Sequence, residues 1–270
     1  MATGTRTVAI IQARMGSTRL PGKVLKPILG QPMLWHIVHR VRWVPDLAEV
    51  VVASSDGPGD EPIRRFCRER GIALFAGSEN DVLDRFYQAA IQYNSDPIIR
   101  ITGDCPFVDP EVIGRLLELY RTGRYDHVGA GAGAGAALSG NNHFPAGLDA
   151  ECFSFSTLAR AWREATEPSD REHVTPYNWR VPGRFRVGTL WSDRDYSHLR
   201  WTVDHEADFQ LVSQVYEALY REDKPFLMDS VLRYLASHPE LAEINRAFIG
   251  QEGYLELWEP TQRSEHRAAE

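Results

Sequence analysis

The stretch "AIIQARMGSTRLPGKVLKP", residues 9–27, places Arg14, Arg19, Lys23 and Lys26 on one loop after a short apolar strand. Four cations within thirteen residues, interspersed with Gly16, Ser17, Pro21 and Gly22, suit a polyanionic ligand. Glycine lets backbone N–H groups come close to such a guest, arginine offers phosphate a planar fork, and lysine adds a compact point charge. The loop is not a Walker A motif. Five residues separate Gly16 from Gly22 where four are required, and Val24 stands where a Ser or Thr would hold magnesium. No G-x-G-x-x-G is present either, which argues against a dinucleotide fingerprint.

Two further stretches supply carboxylates. "ITGDCPFVDP" (101–110) reads as a strand ending in Asp104, with Asp109 free to cap the helix that follows. "LRWTVDHEADFQLV" (199–212) reads as a second strand ending in Asp204, with Glu206 and Asp208 as favourable charges in the first turn of a helix. In an open parallel sheet both strand ends face the carboxyl edge, where ligands bind. Two carboxylates beside an Arg/Lys cluster match Mg²⁺ on a nucleoside triphosphate, since magnesium takes one or two carboxylates and completes its shell with phosphate oxygens and water.

The elements that must carry these residues alternate. Strands are predicted at 7–13, 49–55 and 97–104, and helices at 32–44, 60–71, 78–93 and 109–123, from continuous β-branched runs and from apolar positions at helical spacing. That order predicts an α/β fold: a mostly parallel sheet flanked by helices. The Gly/Ala run at 129–142 reads as a mobile loop or insertion. It precedes "FPAGLDAECFSFSTL" (144–158), a helical segment at 170–180, strands at 185–191 and 199–204, a long helix at 207–221 and two shorter ones to about 249. The polar end, 260–270, reads as a disordered tail.

The bulk numbers agree with one soluble domain. The chain has 270 residues, 43% of them hydrophobic and 25% charged, with net charge −7, so broad attraction to nucleic acid or anionic membrane is not expected. Cys67, Cys105 and Cys152 form no C-x-x-C pair and suggest neither a zinc site nor a disulfide framework; a reducing cytoplasm fits them. No apolar run reaches the length of a membrane span or signal peptide.

"IIQARMGSTRLPGKVLKP", "GSENDVLDRFYQAA", "RITGDCPFVDP", "GLDAECFSFSTL", "REHVTPY" and "WTVDHEADFQLV" occur in that order over roughly residues 5–220. Together they resemble the spore coat polysaccharide biosynthesis protein F family of cytidylyltransferases, related to the CMP-sialic acid and CMP-KDO synthetases. The resemblance implies a nucleotidyltransferase-type α/β fold over residues 1–258 with a small β-rich subdomain at about 127–192. It also implies CTP and Mg²⁺ as ligands, a small anionic acceptor, and homodimerisation. Ala13, Arg14, Gly16, Ser17, Arg19 and Lys23 match the triphosphate loop, and Asp104 and Asp204 match the metal-binding aspartates. Arg14, Lys23, Asp104 and Asp204 would then be the catalytic set. Ser78, Asp81 and Arg85 match a stretch near the nucleoside, although Asp81 reads equally well as a helix-start charge.

Asp149, Glu151, Arg171, Glu172 and His173 concentrate charge where the resemblance places the acceptor. Carboxylates there suit a polyhydroxylated or amino-bearing acceptor and Arg171 an acidic one; Arg171 and Glu172 also read as a surface ion pair, and His173 as a buried structural histidine. Two rival functions remain: a glycosyltransferase using the Asp-x-Asp spelling at 193–195, and a nucleotide-binding regulatory protein without turnover.

Overall fold

The computed structural model describes residues 6–131 and 142–251. The predicted tail, most of the Gly/Ala run and the end of the expected domain lie outside the described residues. Along the chain, β1 (Val8–Gln12) is followed by a small hairpin, β2 (Pro27–Ile28) and β3 (Gln31–Pro32), then α1 (Met33–Val41), β4 (Glu49–Ser55), α2 (Glu61–Glu69), β5 (Ala73–Gly77) and α3 (Val82–Gln92). β6 (Ile98–Thr102), α4 (Pro110–Arg121), β7 (His127–Ala130), β8 (Ala150–Phe153) and α5 (Phe155–Glu164) come next. The remainder is α6 (Pro168–His173), α7 (Pro176–Trp179), β9 (Val187–Leu190), α8 (Glu206–Leu219), α9 (Met228–Ser237) and α10 (Pro239–Ala242).

Seven of the strands form one sheet in the order β5-β4-β1-β6-β8-β7-β9. The first four are mutually parallel, β8 runs antiparallel to β6 and β7, and β9 is parallel to β7. This is the mostly parallel sheet flanked by helices that the sequence predicts. The strands of 127–190 continue the main sheet. From β1 the chain adds β4 and β5 on one side and then returns to add β6 on the other, so the crevice between the ends of β1 and β6 is the topological switch point.

Both sheet faces are covered, which explains why the central strands read as unbroken apolar runs. Ala9, Ile11, Val50, Val52, Ile99 and Ile101 pack with Leu34, Ile37, Leu116 and Val215 of α1, α4 and α8. Val8, Ile10, Val51, Ala53 and Ile98 pack with Leu83, Phe86, Leu158 and Ala161 of α3 and α5. Burying each larger side chain contributes about 1.5–3 kcal/mol. The helices start where side chains satisfy their first N–H groups: Asp81 caps α3, Asp109 caps α4 ahead of Pro110, and Ser154 caps α5.

Two expectations change. The stretch 199–204 is not a strand; it joins the fold through an isolated bridge between Ala146 and Arg200 and through Trp201 N donating to Ala146 O. Gly147 permits this approach: its φ is +106°, and a Cβ there would lie 2.4 Å from Thr202 N. The segment 170–180 is two short helices rather than one, broken at Val174, whose φ is +74°, and restarted at Pro176.

Candidate active site

A cavity of about 430 Å³ opens at the switch point. One side is built from the loop after β1: Ala13, Arg14, Ser17, Thr18, Arg19 and Lys23 all line it. The loop is held from beneath by a carboxylate that sequence reading did not single out. Asp60 Oδ1 accepts from Met15 N at 2.7 Å, while Oδ2 accepts from Ser54 Oγ and Ser55 N at 3.1 and 3.0 Å. Burial pushes the Asp60 carboxyl up, but these donors outweigh it and hold its pKa below the usual carboxylate value. Ser17 serves the loop internally by accepting from Leu20 N at 3.3 Å.

Lys23 begins a single 3-10 turn after Gly22 and points inward, only 8% exposed. Its Nζ donates to Asp204 Oδ1 at 2.8 Å, Val203 O at 2.7 Å and Asp104 Oδ2 at 3.2 Å. The two aspartates meet because Val203 N donates to Asp104 O at 2.8 Å, and Thr202 Oγ1 to the same oxygen at 3.3 Å. Gly103 allows the end of β6 to press on β1, since a Cβ would fall 2.8 Å from Gln12 O. Burial opposes the Lys23 charge, yet Asp104 and Asp204 overcome that cost and raise its pKa above the ordinary lysine value. Burial likewise pushes Asp204 up, but Lys23, Arg19 and Arg200 together pull its carboxyl down to about 2.

Asp204 is therefore more enclosed by cations than its sequence context suggests. Arg19 Nη2 lies 3.0 Å from Oδ1 and Arg200 Nη2 donates to Oδ2 at 2.9 Å. Arg200 is fully buried and also donates to Asp208. Asp208 is not a surface helix-start charge: it is 0% exposed and accepts from Asp204 N, His205 N and Asn245 Nδ2. The first-turn place of Asp208 was legible, but its meeting with Arg200 and Asn245 was not, because the fold brings Asn245 to it from 37 residues away. Lys26, counted with the cationic loop in the sequence, pairs instead with Glu206 at 2.6 Å.

The other predicted residues divide. Arg85 lines the cavity, its guanidinium fixed on Ser78 O and Glu79 O. Ser78 and Asp81 do not line it; Ser78 Oγ accepts from Asp81 N, and Asp81 caps α3 and pairs with Arg171. Arg171 is thereby turned out of the cavity, as is Gly16. Asp149, Glu151, Glu172 and His173 do line it. Glu151 is fully buried and bonded to Arg100, which with Gln12 joins the lining unforeseen from sequence. Asp193 and Asp195 lie outside, and Asp195 is spent on Ser197 and His143 N.

Residues 8–238 match the family model described as cytidylyltransferase. The chain belongs to the cytidylyltransferase family. It is 33% identical over 259 residues to an uncharacterized protein of Methanocaldococcus jannaschii, covering 94% of this chain and 100% of that one. It is 35% identical to the spore coat polysaccharide biosynthesis protein SpsF of Bacillus subtilis, covering 77% and 85%. Among solved structures, a cytidylyltransferase from Leptospira borgpetersenii superposes with TM-score 0.80 at 28% identity, covering 88% of this chain and 97% of its own. Membership of the cytidylyltransferase family supports a nucleotidyltransferase activity. No helix among the described residues is long and apolar enough to cross a membrane, and the three cysteines are buried and free.

Proposed function

We propose that this protein transfers a cytidylyl group from CTP to an anionic sugar-type acceptor and releases pyrophosphate, as a step in glycan assembly. The observation that carries this reading is the meeting of Lys23, Asp104 and Asp204 beside Arg14 and Arg19 at one cavity. Arg14 is exposed to the cavity and suits a phosphate oxygen, while Lys23 and Arg19 are held at the aspartates. In the step itself an acceptor oxygen attacks the α-phosphorus, the new P–O bond forms, and the bond to the β-phosphate oxygen breaks in line. These side chains position the triphosphate and counter the charge growing on the leaving pyrophosphate; no covalent intermediate on the protein is required.

The donor set fits magnesium. Hard carboxylate oxygens of Asp104 and Asp204 already converge on one cation, the Lys23 ammonium. Among the described residues no group of three or more metal-ligating side chains occurs, so the ion would rely on the triphosphate and water for its remaining ligands. Asp104 and Asp204 would hold it, and when bound it would supply Lewis-acid stabilisation to the phosphate oxygens.

A pyrophosphate-release screen tests the reading, with four nucleoside triphosphates crossed against sugar acids, phosphonates and sugar phosphates. Release is expected with CTP, and calorimetry should show CTP bound more tightly than ATP, GTP or UTP. Tighter ATP binding, or release of a nucleoside diphosphate from a nucleotide sugar in place of pyrophosphate, would overturn it.

A further inference from the structure

Gln12, the last residue of β1, is half-buried and lines the cavity where the strand passes into the cationic loop. It is the one side-chain amide among the described lining residues. Its side chain shares a sheet face with Arg100 of β6, which stands opposite Ile10 on β1 and opposite Glu151 on β8. Arg100 donates to Gln12 Oε1 from Nε and Nη2 at 3.2 and 2.9 Å, and from Nη1 to the fully buried Glu151. A guanidinium has only donors, so this contact decides which end of the amide is which. Oε1 faces Arg100, and the NH2 group is turned away from it. Nε2 makes no hydrogen bond within the described residues and stays open to the cavity.

The other polar side chains of the lining lack that property. Serine and threonine hydroxyls rotate to donate or accept, and an imidazole changes tautomer. Arg85 is fixed on Ser78 O and Glu79 O, Arg19 and Lys23 meet Asp204, and Trp179 Nε1 donates to Thr175 Oγ1 at 3.4 Å. Gln12 Nε2 is thus an uncharged group available to a ligand whose polarity is set as a donor. Such a group tells two pyrimidines apart. N3 of cytosine accepts a hydrogen bond, whereas N3 of uracil carries a hydrogen. An NH2 facing N3 completes a bond to cytosine and leaves two donors opposed against uracil.

We propose that Gln12 Nε2 donates to N3 of the cytosine ring and so selects CTP over UTP, with Arg100 and Glu151 as the positioning residues that fix the amide. The inference rests on the cytidylyl-transfer reading and names the side chain that reads the base. Charge assigns Gln12 to that part of the nucleotide: the triphosphate calls for the cations of the loop, and the ring is uncharged. Arg14 follows two residues on, so the two Cα atoms lie within about 7 Å, and one nucleotide can meet both side chains. Ala13 and Val82 add apolar lining for a ring.

The test is calorimetric and needs no acceptor. CTP, UTP and 3-deaza-CTP, in which a C–H replaces N3, are titrated with Mg²⁺ into wild type, Gln12→Met and Gln12→Glu at about pH 8, where the new carboxylate is ionised. Melting temperatures check that each variant is folded. Wild type should bind CTP about ten-fold or more tightly than either analogue, the scale of one hydrogen bond lost or one pair of donors opposed. Gln12→Met, which has no donor, should bring both ratios within about three-fold of one. Gln12→Glu still accepts from Arg100 but turns an oxygen to the ligand, so UTP should bind more tightly than CTP; its added charge weakens both nucleotides and cancels in the ratio. Equal binding of CTP and 3-deaza-CTP by wild type overturns the proposal without need of a variant. Ratios that the variants leave unmoved, with CTP and UTP weakened alike as a merely structural role would do, overturn it too and leave cytidylyl transfer standing. Failure of wild type to bind CTP overturns both.

Discussion

Lys23 Nζ lies 2.8 Å from Asp204 Oδ1, across 181 residues of sequence, and both side chains are nearly enclosed. The pair closes the cavity floor, and it makes Lys23 a structural counter-ion as well as a charge for phosphate. Lys23→Met, which keeps the apolar stem and removes the ammonium, leaves two carboxylates and a carbonyl without their shared donor. The expected cost is about 3–5 kcal/mol of stability, the range for breaking a buried ion pair from one side, together with a loss of turnover of at least ~100-fold. Arg14→Ala should show a similar loss of turnover with an unchanged melting temperature, because Arg14 is exposed. Thermal melts and pyrophosphate release on both variants separate the two roles; turnover within a few-fold of wild type in both would remove the phosphate-cradle reading.

Asp60 gives the loop a pH dependence. Its folded-state pKa is depressed by Met15 N, Ser55 and Ser54, so the stability it contributes is fully present above the unfolded carboxylate value of about 4. That contribution fades as pH falls through the lower folded value. Asp60→Asn does not titrate there. The gap in unfolding free energy between wild type and Asp60→Asn should be constant from neutrality down to about pH 4 and shrink at more acid pH. Denaturant titrations at a series of pH values check this, and a gap that widens with acid would contradict the assignment.

Asp208 should behave as a core residue. Its carboxylate receives Arg200, Asn245 Nδ2 and two backbone N–H groups while 0% exposed. Asp208→Asn takes from the buried Arg200 one of its carboxylate partners and replaces an acceptor oxygen by an amide donor. A loss of about 3–5 kcal/mol is expected, against about 0.3–1 kcal/mol for removing a surface charge near a helix N-terminus. The melting temperature decides between the two scales.

The difference between those scales shows where the sequence was legible. β1, β4 and β6 could be read because buried parallel strands leave continuous apolar runs, and α3 and α4 because Asp81 and Asp109 cap apolar repeats of helical spacing. β5 could not, since Ala73–Gly77 is a half-exposed edge strand without a β-branched residue. Arg14, Arg19 and Lys23 stood out as cations on one loop and Asp104 as a carboxylate just past β6; Asp204 reads as a strand end although 199–204 forms no strand, and the cavity still gathers all five. Arg200 and Asp60 did not stand out: an isolated charge looks solvated until the fold supplies its partner. Arg171 shows the converse, a charge in the right stretch that the fold turns toward Asp81.

The last prediction concerns Asp104 and Asp204 as one unit. If they jointly hold magnesium with CTP, Asp104→Asn and Asp204→Asn should each abolish most pyrophosphate release, chelation should do the same to wild type, and the double variant should lose little more than either single one. Capping cannot account for such a result at Asp204. The N-cap of α8 is His205, and it is Asp208 that reaches back to accept from its N–H. Stability separates the aspartates further. Asp204 is 12% exposed and meets Lys23, Arg19 and Arg200, so Asp204→Asn strands buried positive charge and should lower the melting temperature. Asp104 is 30% exposed at its side chain and meets Lys23 alone among them, so Asp104→Asn should lower it less. Magnesium-dependent release and melting measured on the same four proteins give both readouts, and losses that multiply between the two sites would mean that no ion is shared.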